Sequence, residues 1–266
     1  MDREREDRRV HLIASLIVKD ELGRYLKPCV ESLLEFCDEV AMVDDGSTDG
    51  THGWAFSQER VHCCKTGKAH FFEHEGRARQ FLLEWTLARE PTHILAIDAD
   101  EFIADGRALR AAIDMDEEQP VWTLEMDEVW KADERNLWLR RDGGWRPHAA
   151  PILYAVPAKR PANFRIQDKA LACGREPMSI RAQFRHALKT GTEILHFGWT
   201  NVSERRARYD RYVEHDSGQF HQKRHLDSIM YDDRRVGLTR RSWPVALLDR
   251  KAALLERINR TEGIIT

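Results

Sequence analysis

Cysteine is scarce and unpatterned in this chain of 266 residues. There are five, Cys29, Cys37, Cys63, Cys64 and Cys173, an odd number with one adjacent pair and no CxxC spacing. A disulfide scaffold and a paired-cysteine zinc module are thereby excluded, and reduced thiols in a cytoplasmic protein are the expectation. Long apolar runs are missing as well. The stretch from His11 to Val18 stops at Lys19-Asp20, too short for a membrane span and without the layout of a secretory leader. No internal repeat, low-complexity tract or evident linker divides the chain. The hydrophobic fraction of 42% is that of a globular chain able to build one sizeable core.

Charge is close to balanced, with 42 Lys and Arg against 45 Asp and Glu, but it is unevenly placed. Residues 1–130 hold 15 basic and 29 acidic side chains, whereas residues 131–190 hold 13 and 5. The acidic half suits a cation. The basic half suits an anionic partner: nucleic acid, a lipid phosphate or an acidic protein surface.

Hydrophobic periodicity predicts a buried strand at Leu12–Val18, a helix from Tyr25 to Phe36 with Pro28 in its first turn, and a second strand at Val40–Val43. The turn-rich Asp44-Asp45-Gly46-Ser47-Thr48-Asp49-Gly50 follows directly. A strand near Ala69–Phe72, a helix from Gly76 to Ala88 and a strand at His93–Ile97 continue a βαβ rhythm, which ends in Asp98-Ala99-Asp100-Glu101. Further on, the pattern predicts a short helix over 107–115 and strands at Val121–Trp130 and Asn136–Arg140. An irregular region over 143–174 follows, with one strand at Ile152–Val156. A strand-like stretch at Glu193–Phe197, a charged helix at Ser203–Glu214 and an amphipathic helix from Pro244 to Ile258 close the chain. Both acidic motifs fall at carboxyl ends of strands, where open α/β sheets bind ligands. If Asp98 and Asp100 lie on a strand end, alternation turns both toward one ligand and offers hard oxygens to Mg²⁺ or Mn²⁺.

Three motifs in order, Ile13-Ala14-Ser15-Leu16-Ile17-Val18-Lys19-Asp20-Glu21, Val43 to Thr51 and Ile97 to Glu101, resemble family 2 glycosyltransferases, with Arg77-Ala78-Arg79-Gln80 between the acidic pair. The resemblance covers residues 10–105. It implies an inverting enzyme of the type A nucleotide-diphosphosugar transferase fold, an α/β fold with a central mostly parallel sheet flanked by helices and a helical C-terminal tail. Residues 1–120 would form the nucleotide-sugar half, 121–202 the acceptor half and 203–266 the helical extension. By the same resemblance Asp45 contacts the nucleobase with Asp44 shaping its loop, Arg79 neutralises the diphosphate, Asp98 holds the ribose or assists the metal, and Asp100 ligates Mn²⁺ or Mg²⁺. The string Ile194-Leu195-His196-Phe197-Gly198-Trp199 resembles the late motif of related transferases and makes His196 the candidate third ligand.

The base is harder to place, because relatives carry an acidic pair where this chain reads Trp145-Arg146-Pro147-His148-Ala149-Ala150. Asp127 is the candidate, with Glu125 and Glu128 behind it. Competing classes are weaker. An EF-hand fails because Phe56 occupies its twelfth position. His70-Phe71-Phe72-Glu73-His74 matches the HxxEH zinc pattern but precedes a helix instead of lying in one. A nucleotidyltransferase needs a Gly-rich basic loop where Val18 to Gly23 stands. A module that binds nucleotide sugars without catalysis remains the alternative from a different class.

Overall fold

The computed structural model describes residues 9–66, 71, 73–215 and 223–260. The first apolar run forms β1 (Leu12–Val18), buried nearly throughout, and the helical pattern after it forms α1 (Leu26–Leu33). β2 (Glu39–Asp44), α2 (Thr51–Phe56), β3 (Val61–Lys65), α3 (Glu75–Leu87) and β4 (His93–Ala96) follow. The order continues with β5 (Glu101–Ile103), α4 (Gly106–Met115), β6 (Val121–Ala132), β7 (Asn136–Arg140) and β8 (His148–Ala155). It closes with α5 (Met178–Arg181), β9 (Leu188–His196), α6 (Val202–His215), α7 (Lys223–Ile229), β10 (Leu238–Ser242) and α8 (Lys251–Asn259).

Among the described residues ten strands join in one mixed sheet with helices packed on it, the α/β class expected. Its parallel part is β3-β2-β1-β4, with Ser15 of β1 level with Ala41 of β2 and Ala96 of β4. β8 runs antiparallel between β4 and β6, and β7 and β10 extend the sheet beyond β6, also antiparallel. β9 lies parallel to β6 and carries β5 antiparallel on it. Parallel pairing thus belongs mainly to the N-terminal half, whose strands are joined by the longer crossovers such pairing requires. No helix of the described residues is long and apolar enough to cross a membrane, and all five cysteines are free thiols.

Three expectations change. β8 begins at His148, four residues before the anticipated Ile152, because pairing with β6 from Met126 backward recruits an exposed His148-Ala149 that has no apolar signature. The helix anticipated over Pro244–Ile258 is a 3-10 segment, Val245–Arg250, leading into α8. The tighter winding of that segment leaves Val245 85% and Leu248 48% exposed while Leu247 is buried. The C-terminal segment also contributes a strand, β10, in addition to helices. The strand expected near Ala69–Phe72 lies outside the described residues apart from Phe71.

Candidate functional site

β1, β2 and β4 are mutually parallel, so their carboxyl ends share one edge of the sheet, the usual ligand edge of such folds. β2 ends at Asp44, which is fully buried; its Oδ1 accepts the Ser47 amide at 2.7 Å, closing the loop, and its Oδ2 has no partner among the described residues. Asp45 is buried too and faces the opposite wall, accepting the Phe71 amide at 3.0 Å and the Thr66 hydroxyl at 3.3 Å.

Beyond β4 the strand alternation expected for Asp98 and Asp100 does not hold. Residues 97–100 leave the strand and turn, with the Glu101 amide donating to the Asp98 carbonyl at 3.1 Å, so the two carboxylates go to different cations. Asp98 meets Arg175 Nη2 at 2.8 Å and Arg79 Nη1 at 3.8 Å. Arg175 also grips the buried Glu101 with both nitrogens, at 2.5 and 2.7 Å. Burial opposes the charge of Arg175, but Asp98 and Glu101 outweigh it and raise its pKa. Arg79 is anchored by Glu75 at 2.7 Å, one turn earlier in α3. The start of α3 presses on residues 167–170: a side chain on Gly76 would collide with the Gln167 carbonyl oxygen, and the Gly76 amide donates to the Lys169 carbonyl at 2.9 Å. That contact brings the segment leading to Arg175 alongside Arg79.

Asp100 turns to β9 and α6. Its Oδ2 accepts Arg208 Nη2 at 2.7 Å and lies 3.5 Å from His196 Nε2, while His196 Nδ1 pairs with Glu128 of β6 at 2.6 Å. Burial alone would push the Asp100 carboxyl up, yet His196 and Arg208 hold it well below the usual carboxylate range. Burial likewise works against an imidazolium at His196, but Glu128 and Asp100 on its two sides raise its pKa well above the ordinary value. Glu128 is correspondingly lowered, its burial outweighed by His196.

Residues 16–141 match the model of glycosyl transferase family 2. Residues 16–141, just under half of the chain, are thus similar to family 2 glycosyltransferases and take in both acidic motifs and Arg79. No curated protein matches. Among solved structures the chain is similar to S. aureus TarS residues 1–349, with 14% identity, 83% of this chain and 69% of that one covered, and a TM-score of 0.48. It is also similar to a 4-diphosphocytidyl-2C-methyl-D-erythritol synthase, at 20% identity, 56% and 76% coverage and a TM-score of 0.38. A third is a mannose-1-phosphate geranyltransferase from Thermus thermophilus, at 12% identity, 94% and 67% coverage and a TM-score of 0.31.

In the folded chain the expected residues separate into groups. Arg79 and Asp98 come together, as do Asp100 and His196. Asp127 stands apart from both: it is ion-paired with Arg141, whose Nη2 donates at 2.9 Å, and lies 3.7 Å from Arg241. Its neighbour Glu128 is the β6 carboxylate that reaches the His196 cluster. As a metal site, the donor set of Asp98, Asp100 and His196 combines hard oxygens with an imidazole and fits Mg²⁺ or Mn²⁺ in kind. It is not preassembled, since among the described residues no three such side chains converge on one point. Both aspartates are held by arginines, whereas His196 is held between Glu128 and Asp100 and must lose its proton to ligate.

Arg175 and Arg208 were not anticipated. Arg175 sits in the region without periodicity, where no local pattern marks it. Arg208 had a readable signal, the helical spacing of Arg205, Arg208 and Tyr212, which sets arginines on the inward face of a charged helix. Glu21, at the end of the first motif, was quoted only for resemblance. It lies among Arg24, Arg208 and Asp100, its Oε2 has no partner among the described residues, and burial raises its pKa from 4.5 to about 7 against the pull of Arg24. The folded chain therefore binds more protons at Glu21 than the unfolded chain between pH 4.5 and about 7, and stability falls across that window as pH rises. Glu21→Gln removes this cost, and Arg24 keeps its second partner, Glu204, at 3.2 Å. We expect a gain of up to ~3 kcal/mol in urea unfolding at pH 8 and about 1 kcal/mol at pH 5. Equal gains at both pH values would show that Glu21 is not titrating in this way.

Proposed function

We propose that the chain is a metal-dependent inverting glycosyltransferase that moves a sugar from a nucleotide-diphosphate donor to an acceptor. The observation that carries this reading is the edge formed by β1, β2 and β4, where Asp98 and Asp100 stand among Arg79, Arg175, His196 and Arg208. Asp45 and the enclosed Asp44 loop would seat the nucleoside, and Arg79 and Arg175 would face the diphosphate with planar, multidentate donors. Asp98, Asp100 and His196 would hold Mn²⁺ or Mg²⁺, which when bound stabilises the charge of the departing diphosphate.

The acceptor hydroxyl loses its proton to a carboxylate of β6. Asp127 performs this role only if the acceptor releases it from Arg141, whereas Glu128 already faces the cluster. The basic balance of residues 131–190 favours an anionic acceptor, consistent with an acceptor half over 121–202 and a C-terminal extension after it.

The test is a thermal-unfolding panel of UDP, GDP, dTDP and CDP with and without Mn²⁺. One nucleotide is expected to raise Tm by several degrees, on the order of 2–3 kcal/mol at about 100 times its Kd, and only when Mn²⁺ is present. No shift with any of them sinks the donor reading, and an equal shift without metal sinks the metal dependence.

A further inference from the structure

Asp100 is the enclosed member of the aspartate pair, with its side chain 10% exposed against 36% for Asp98. Its Oδ2 is shared by Arg208 Nη2 at 2.7 Å and His196 Nε2 at 3.5 Å, and Arg208 Nη1 lies 3.5 Å from the same His196 nitrogen. The guanidinium thus fills the corner between the two groups that a shared ion would occupy. The backbone is pressed onto this corner: a Cβ on Gly198 would lie 2.5 Å from Asp100 Oδ2, 2.6 Å from His196 Nε2 and 2.8 Å from Arg208 Nη1.

Arg208 is seated on the Trp199 ring, with its guanidinium carbon 4.6 Å from the ring centroid. One turn earlier Glu204 binds Arg24 through two contacts of 3.2 Å and also pairs with Arg257, so α6 is fastened to the donor half and to α8 independently of Arg208. Those anchors of α6 do not depend on the Arg208–Asp100 pair.

A divalent ion on Asp100 would sit about 2.1 Å from a carboxylate oxygen, in the space where the Arg208 nitrogen stands. The ion and the Arg208 guanidinium cannot both occupy that space, and their charges would repel strongly in so buried a corner. The geometry points to Arg208 as a resident cation that holds Asp100 in the nucleotide-free chain, yields that carboxylate to the metal ion, and passes to the donor's diphosphate. A guanidinium suits both stations, since its fork matches carboxylate and phosphate oxygens alike and its charge never leaves. This assignment rests on the metal-dependent reading above and adds a specific residue to it.

The test measures two affinities in the purified full-length chain: Mn²⁺ alone, followed by the EPR signal of free Mn²⁺, and inorganic pyrophosphate at saturating Mn²⁺, followed by calorimetry. In Arg208→Gln, Mn²⁺ alone is expected to bind at least ~10-fold tighter, because the competing cation is gone, and pyrophosphate at least ~10-fold weaker. Arg206→Gln, on the exposed face of the same helix, serves as the control and is expected to change both by less than about twofold. Should Arg208→Gln fail to fold, Arg208→Lys carries the test, with Mn²⁺ affinity within about twofold of wild type and pyrophosphate weakened at least ~5-fold by loss of the fork. Opposite movement of the two affinities in Arg208→Gln supports the assignment. In Arg208→Gln, unchanged Mn²⁺ affinity or unchanged pyrophosphate affinity overturns it; in Arg208→Lys, unchanged pyrophosphate affinity does. A wild-type chain that binds Mn²⁺ under neither condition overturns the metal reading and this assignment together; one that binds under both while Arg208→Gln alters nothing overturns the assignment alone.

Discussion

Asp100→Asn is expected to lower turnover on the order of 10³-fold and to cost about 3 kcal/mol in urea unfolding. The substitution keeps the volume and removes the charge, so two effects separate cleanly. On the proposed metal-dependent reading, the chemical loss follows from a site that would no longer offer the ion a buried anionic oxygen. The stability loss follows because Arg208 loses the carboxylate it is hydrogen-bonded to, and the His196 imidazolium keeps only Glu128 of its two carboxylate neighbours. Asp98→Asn is the informative companion. Its side chain is 36% exposed and Arg175 keeps Glu101, so the stability cost is expected to stay below about 1 kcal/mol while turnover still falls. Turnover of Asp100→Asn within threefold of wild type would remove Asp100 from the reaction, and an unchanged urea midpoint would refute the ion-pair account.

The same cluster has a definite pH signature. Asp100 and Glu128 are held below their ordinary values of 3.8 and 4.5, so their stabilisation is present above those values and is lost as pH falls through the lowered ones. His196 is raised above 6.5, so its contribution is complete below that pH and is lost as pH rises through the raised value. Asp100→Asn should flatten both limbs.

Much of the sheet was legible because its signals are local. β1, β2 and β4 are uninterrupted apolar runs that end in acidic turns, and Leu12–Val18 and Asn136–Arg140 fall where the pattern placed them. β3, Val-His-Cys-Cys-Lys, went unseen because only Val61 is buried and the rest carries no apolar stripe. The site shows the same division. Asp98 and Asp100 announced themselves by spacing, but what each one touches is decided from afar: Arg175 lies 77 residues from Asp98, and Arg208 lies 108 from Asp100. Local periodicity carries no record of such pairings. A single turn at residues 97–100 was enough to send two carboxylates expected on one face to different partners.

Arg140→Ala is expected to cost about 4 kcal/mol, and Arg140→Met about half of that. Arg140 ends β7 with no exposed surface, and its guanidinium carbon lies 4.4 Å from the ring centroids of both Trp130 and Trp145. Nε and Nη2 bind Asp142 at 2.8 and 3.1 Å, while Nη1 donates to the Ser228 carbonyl of α7 at 2.7 Å. Around it the second hydrophobic cluster, Trp130, Trp145, Trp199, Leu226 and Ile229, joins the far end of the sheet to α7 and reaches the Trp199 ring on which Arg208 rests. Alanine opens a cavity between two indoles and strips the Ser228 carbonyl of its donor. Methionine refills most of the volume and loses only the polar contacts, and Asp142, about one third exposed, returns to water at little cost. Equal losses for the two variants would assign the whole effect to the hydrogen bonds, and a loss below about 1 kcal/mol in Arg140→Ala would show that the tryptophan cluster holds without its central cation.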